Sequence, residues 1–132
     1  LVPHAGPVAG VMPGTVKDPS GLLAFFRGTG TDAECRSLDQ ILAWDDILLE
    51  CCHNYVQWLL PTDTPSPFNE DAPVLTVELQ RIFRVDQTIR ANLRRGLQRF
   101  LAFLGVHLES GSGVPCCAVK AANFDRRVNM CW

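Results

Sequence analysis

Apolar residues recur at helical spacings in several separate runs, with proline- and glycine-rich connections between them. The firmest run follows Asp86: Ile89, Leu93, Leu97, Phe100 and Leu104 come at steps of four, four, three and four, the stripe of an amphipathic helix. Asp86 is suited to cap that helix and Gly105 to stop it. Upstream, Thr76 caps a run through Leu79, Ile82 and Phe83. Nearer the start, Asp18-Pro19 opens a helix over about 19 to 27, carried by Leu22, Leu23, Phe25 and Phe26 and ended by Gly28. Ser37 and Gln40 have the spacing of a capping box for a brief turn ending at Trp44. Asp45 then caps a helix that continues to Pro61, since the residue before a proline is pushed out of helical geometry.

The stretches between these runs read as irregular. Residues 1 to 17, with three prolines and three glycines, form an extended or disordered arm. Pro61 to Pro73, with four prolines, is a surface loop. Beyond Gly105 the tail is irregular apart from a short extended piece within Val114 to Lys120. The expected architecture is therefore all-α: an irregular bundle of about four to five helices, forming one domain over 18 to 132. The helix from Asp45 and the helix from Asp86 should pack through their apolar stripes, with Leu93 and Phe100 in the core.

Composition fits this reading. A chain of 132 residues with 47% hydrophobic and 20% charged positions supports one globular core. A net charge of -2 gives no general attraction to nucleic acid, which is not an expected partner. No apolar stretch approaches the roughly 20 residues of a membrane-crossing helix. Arginines nevertheless cluster at Arg90, Arg94, Arg95 and Arg99, with Arg81 and Arg84 upstream. Their four-residue steps repel unless carboxylates from elsewhere in the fold, or an anionic partner, compensate them.

The candidate chemistry lies in the run from Asp45 to Pro61. On a continuous helix Glu50, His53 and Gln57 would stack in one polar column beside an apolar stripe of Leu48, Cys52, Tyr55 and Leu59. Tyr55 and Trp58, three positions apart, are core aromatics or the rim of a small pocket. The ligand-binding candidates are thus His53, Tyr55, Gln57 and Trp58, with Asn69 from the loop and Arg94 from the neighbouring helix. Glu50 and His53 are the catalytic candidates, as an acid and base pair. A single Glu-x-x-His is an incomplete di-metal motif, so no metal is expected. Neither a nucleophile elbow nor a phosphate-cradling glycine loop is present, and no cofactor is expected.

Six cysteines occur as Cys35, Cys51 and Cys52, Cys116 and Cys117, and Cys131. Reduced thiols fit a cytoplasmic or nuclear protein; paired ones fit a secreted or organellar protein. A bridge from Cys51 or Cys52 to Cys116 or Cys117 would close a loop of about 65 residues and restrain the unfolded chain by roughly 4 kcal/mol.

The segment Leu-Glu-x-x-His-x-Tyr-x-Gln-Trp-x-x-Pro, from Leu49 to Pro61, resembles the signature of the opioid growth factor receptor conserved-domain family. The likeness runs from about Phe26 to Leu108, through Leu38 to Trp44, Asn69, Ala72, Pro73 and Phe103-Leu104-Gly105. Arg126, Arg127, Asn129 and Trp132 are similar to a later Arg and Asn-Trp region. Family members usually continue into a final helix with His-Asn and Arg-Ile-Thr-Arg patterns, whereas this chain, which on this resemblance reads as a microbial or algal-type homologue, stops at Trp132: either its core is completed otherwise or the chain is a fragment. The resemblance implies an all-helical domain whose animal namesake is described as a receptor for an enkephalin peptide and associates with the nucleus. It maps no reaction onto these residues. The leading expectation is a non-catalytic binding or interaction module with a peptide, small-molecule or protein partner; the alternatives are an enzyme using Glu50 and His53, or a cysteine-bridged subunit of a larger or secreted assembly.

Overall fold

In the computed structural model, residues 16–110 and 116–129 are described. Most of the expected arm, the Gly-Ser-Gly segment, Cys131 and Trp132 lie outside them. The described chain forms seven helices and a two-stranded ribbon in the order α1 (Leu22–Arg27), α2 (Leu38–Leu42), α3 (Asp46–Cys51), α4 (Val56–Leu59), α5 (Val77–Val85), α6 (Gln87–Leu104), β1 (Val106–Glu109), β2 (Cys117–Lys120) and α7 (Phe124–Val128). The fold is mostly helical, not all-α.

Local chemistry sets most of the boundaries. Ser37 accepts from the Gln40 amide while the Gln40 side chain accepts from Ser37, a complete capping box. Asp45, Thr76 and Asp86 accept from the third amide beyond each of them. Asp18 also caps, through Leu22 N and Leu23 N, but α1 begins only at Leu22, because a turn and Gly21 in a left-handed conformation intervene. α6 ends at Gly105, whose φ of 87° is glycine territory.

Two expectations are corrected. The run from Asp45 to Pro61 is not one helix: α3 ends at Cys51, Cys52 is extended at φ -110° and ψ 116°, and α4 starts only after Tyr55. The break rotates the two halves, so Leu49 and not Leu48 enters the core, and Leu48 is 44% exposed. The tail is also ordered where described. β1 pairs antiparallel with β2, Val106 opposite Lys120 and Glu109 opposite Cys117, and α7 returns to the end of α6.

The core gathers around α6. Leu22, Phe25 and Phe26 of α1 meet Leu38 and Ile41 of α2, Leu59 of α4, Phe83 of α5, and Ile89 and Phe103 of α6. Phe25 and Phe26 pack edge to face, and Phe26 does the same with Phe83 at 5.2 Å. α4 lies on α6 where Leu59 covers Gly96. Leu93 and Phe100 are only partly buried, because the apolar stripe of α6 is wider than the core it faces. Among the described residues no helix is long and apolar enough to cross a membrane.

Candidate functional site

The break after Cys51 dismantles the expected polar column. The Glu50 carboxylate turns to α7 and accepts from Arg127 Nη2 at 2.7 Å. The His53 imidazole instead folds onto the Glu50 backbone oxygen, with Nε2 2.6 Å away. Gln57 reaches the loop, where its Oε1 accepts from Asn69 Nδ2 at 3.5 Å. The carboxylate and the imidazole of the proposed acid and base pair thus engage different groups.

The two aromatics serve the interior. Tyr55 is buried and its hydroxyl donates to the Leu49 carbonyl at 2.9 Å, tying α4 back to α3. Burial pushes the phenol up to about 12, and the Glu50 charge adds to the effect while Arg99 and Arg127 oppose it. Its ring meets Trp44 edge to face at 5.8 Å. Trp58 is 2% exposed and packs edge to face on Phe25 at 5.1 Å. Trp58 and Asn69 do share a depression with Arg36 and Asn54, but it holds only about 10 Å³.

Arg36 is fixed by a residue that the sequence reading passed over. Asp32, with its side chain fully buried, accepts from the amides of Glu34 and Arg36 and from the Arg36 guanidinium at 2.8 Å. Arg36 in turn lies over the Trp44 ring at 5.2 Å and donates to Asn54.

The arginine cluster divides into two sets. Arg95 pairs with Asp39 of α2 and Arg99 with Asp46 of α3, each at 2.9 Å, and Arg99 also donates to the Trp44 carbonyl. These are the compensating carboxylates from elsewhere in the fold. Arg84, Arg90 and Arg94 are exposed and have no carboxylate partner among the described residues.

Those three arginines border a groove of about 810 Å³ between α5, α6 and β1. Its floor is apolar: Leu75, Phe83, Leu93, Leu97 and Leu108. Gln80 and Gln98 add neutral polar groups, and no carboxylate lines it. Arg94 therefore belongs here and not with His53, Gln57, Trp58 and Asn69. A sequence signal was available: Arg90 and Arg94 precede Leu93 and Leu97 by three positions each, so a cationic row and an apolar row share one face of α6.

Cys51 and Cys52 carry free thiols, so of the two states the sequence leaves open, the bridge from this pair to Cys116 or Cys117 is not the one seen. Cys51 borders a notch between α3 and α7, and Cys116 borders the groove. Among the described residues no group of three or more His, Cys, Asp or Glu is placed to hold a metal ion.

Comparison with known proteins agrees with the signature segment. The opioid growth factor receptor (OGFr) conserved region matches residues 35–131. The rat opioid growth factor receptor is 37% identical over 92 residues, 67% of this chain and 15% of its own length. The human protein is 34% identical over 102 residues, 74% of this chain and 14% of its own, and the mouse protein 34% over 91 residues, 67% and 14%. The chain thus spans only a small part of these relatives. No solved structure matches it. With the family region covering most of the chain and the Glu50, His53, Tyr55, Gln57 and Trp58 segment within it, the protein belongs to the opioid growth factor receptor conserved-region family.

Proposed function

We propose that this domain is a non-catalytic binding module that holds an amphipathic, acidic peptide or protein segment in the groove between α5 and α6. The observation that carries the reading is an apolar floor bordered by Arg84, Arg90 and Arg94 with no carboxylate among the lining residues. The relatives' shared name, that of a receptor, points the same way.

The two parts of the groove contribute differently. Burying one Leu or Phe side chain on the floor is worth roughly 1.5 to 3 kcal/mol, while an exposed ion pair adds about 0.2 to 1 kcal/mol. Affinity comes from the floor. The arginines select for acidic ligands, reject basic ones and speed encounter.

The enzyme reading has less support, since Glu50 is engaged by Arg127 and His53 by a backbone oxygen. The depression at Asn69 is the smaller candidate for a contact surface.

The test is a fluorescence anisotropy titration with a short labelled peptide alternating Leu and Glu, beside its Leu and Lys counterpart. The acidic peptide should bind, the basic one should not, and Arg90→Glu with Arg94→Glu should abolish binding. Equal binding of both peptides, or an unchanged affinity in the double variant, would refute the assignment. Asn69→Ala, made in parallel, should leave the affinity unchanged.

A further inference from the structure

We infer that the groove's partner is a second copy of this chain, which inserts Phe68 from its loop between α4 and α5. The inference rests on the groove reading above and names an occupant for it.

Phe68 is 96% exposed, an unusual setting for a phenylalanine and the more so because its loop is ordered. Ser66 Oγ accepts from the amides of Phe68 and Asn69 at 3.3 and 3.2 Å, and Asn69 Oδ1 accepts from Asp71 N. The Asn69 side chain anchors the loop to Gln57. Pro65 and Pro67 restrict the backbone on either side. The aromatic is therefore held outward on a pre-ordered support, so little conformational freedom is lost when a partner covers it.

The surroundings of Phe68 complement the groove. Asp63, Glu70 and Asp71 are exposed, the segment from Pro61 to Pro73 contains no Lys or Arg, and none of these carboxylates has a cationic partner among the described residues. An aromatic flanked by unpaired carboxylates on one surface matches an apolar floor flanked by unpaired arginines on another. The near-complete exposure of Phe68 shows that a chain does not fill its own groove with it. The match is between different surfaces, so the contact is head to tail, and each chain retains an open loop or an open groove for the next.

That asymmetry gives a clean experiment. Phe68→Asp removes the plug and keeps the groove; Arg90→Glu with Arg94→Glu disables the groove and keeps the plug. All are exposed positions, and circular dichroism checks that each variant is folded. Analytical ultracentrifugation of the wild type should show apparent mass rising with concentration up to about 1 mM, and falling again as salt is raised from about 0.1 to 1 M. Each variant alone should stay at the 14.6 kDa of one chain. Their equimolar mixture should form a dimer that grows no further, because only one plug and one groove are intact.

A wild type that stays monomeric throughout, a silent mixture, or undiminished association of Phe68→Asp would each overturn the inference. The Leu and Glu peptide titration separates the two readings. If the peptide binds while the mixture stays silent, only the second-copy assignment falls; if neither binds, the groove reading falls with it.

Discussion

Arg127 reaches across 77 positions to Glu50 at 2.7 Å, with its guanidinium lying 4.1 Å from the centre of the Phe103 ring. Arg127 is 5% exposed at its side chain and Glu50 22%. One pair thereby locks α3, α6 and α7 together, and the glutamate of the signature segment works as its acceptor.

Removing the acceptor should cost more than removing the donor. Glu50→Ala takes a carboxylate acceptor away from a buried guanidinium, a change worth roughly 3 to 5 kcal/mol where a fully buried pair is broken. The partial exposure of Glu50 puts the expectation at about 2 to 3 kcal/mol. Arg127→Met keeps much of the packing on Phe103 and should cost less. Urea denaturation of both variants checks the order.

Gly105 and Gly28 provide an internal comparison. Both have φ near 80°, at 87° and 79°, but a Cβ on Gly28 meets nothing within 4 Å, whereas one on Gly105 would lie 2.6 Å from Phe124 Cα. Gly28→Ala should cost about 1 to 2 kcal/mol from backbone conformation alone. Gly105→Ala should cost clearly more and push α7 off α6. Thermal denaturation measures the first difference, and faster amide exchange over Phe124–Val128 reports the second.

Tyr55 is the sole tyrosine, so tyrosinate absorbance reads it directly. The folded protein should titrate near the value of about 12 set mainly by burial; in urea the midpoint should return to about 10. Because the folded form holds its proton more tightly, this contribution to stability is complete below the unfolded value and is lost as pH rises through the folded one. Tyr55→Phe should remove that alkaline loss and cost about 0.5 to 1.5 kcal/mol for the bond to Leu49.

Asp86 behaves in the opposite sense. The Ile89 amide, with help from Arg27, holds its carboxyl below the ordinary range. Its contribution is present above the unfolded value and lost as pH falls through the folded one. Asp86→Asn should therefore destabilise the protein near neutrality, and the difference from wild type should shrink in acid, as urea unfolding at both pH values will show.

What the sequence made legible was local. Ser37, Asp45, Thr76, Asp86 and Gly105 each act on amides or carbonyls within a few residues, and each was readable. The break at Cys52 was not, because no glycine or proline marks it. Burying Tyr55 and pairing its hydroxyl with Leu49 is a tertiary demand. Arg127 and Glu50 were invisible as a pair for the same reason. The ribbon was only half seen, although Val106, His107, Leu108 and Glu109 alternate apolar and polar as a half-buried strand does. Of the candidate site, Arg94 lines the groove and does not join His53, Gln57, Trp58 and Asn69, since periodicity shows which face of a helix a residue occupies and not what covers that face.

The junction at Asp86 bears on how a ligand meets the groove. A single residue separates α5 from α6, terminating one and capping the other, and Arg27 of α1 grips its carboxylate. The two walls of the groove are therefore arms of one bracket with a pinned vertex and no slack between them. Such a bracket does not clamp down on its guest. It offers a fixed opening, so a guest of the kind proposed, drawn in by the arginines, would have to fit a width that is already set.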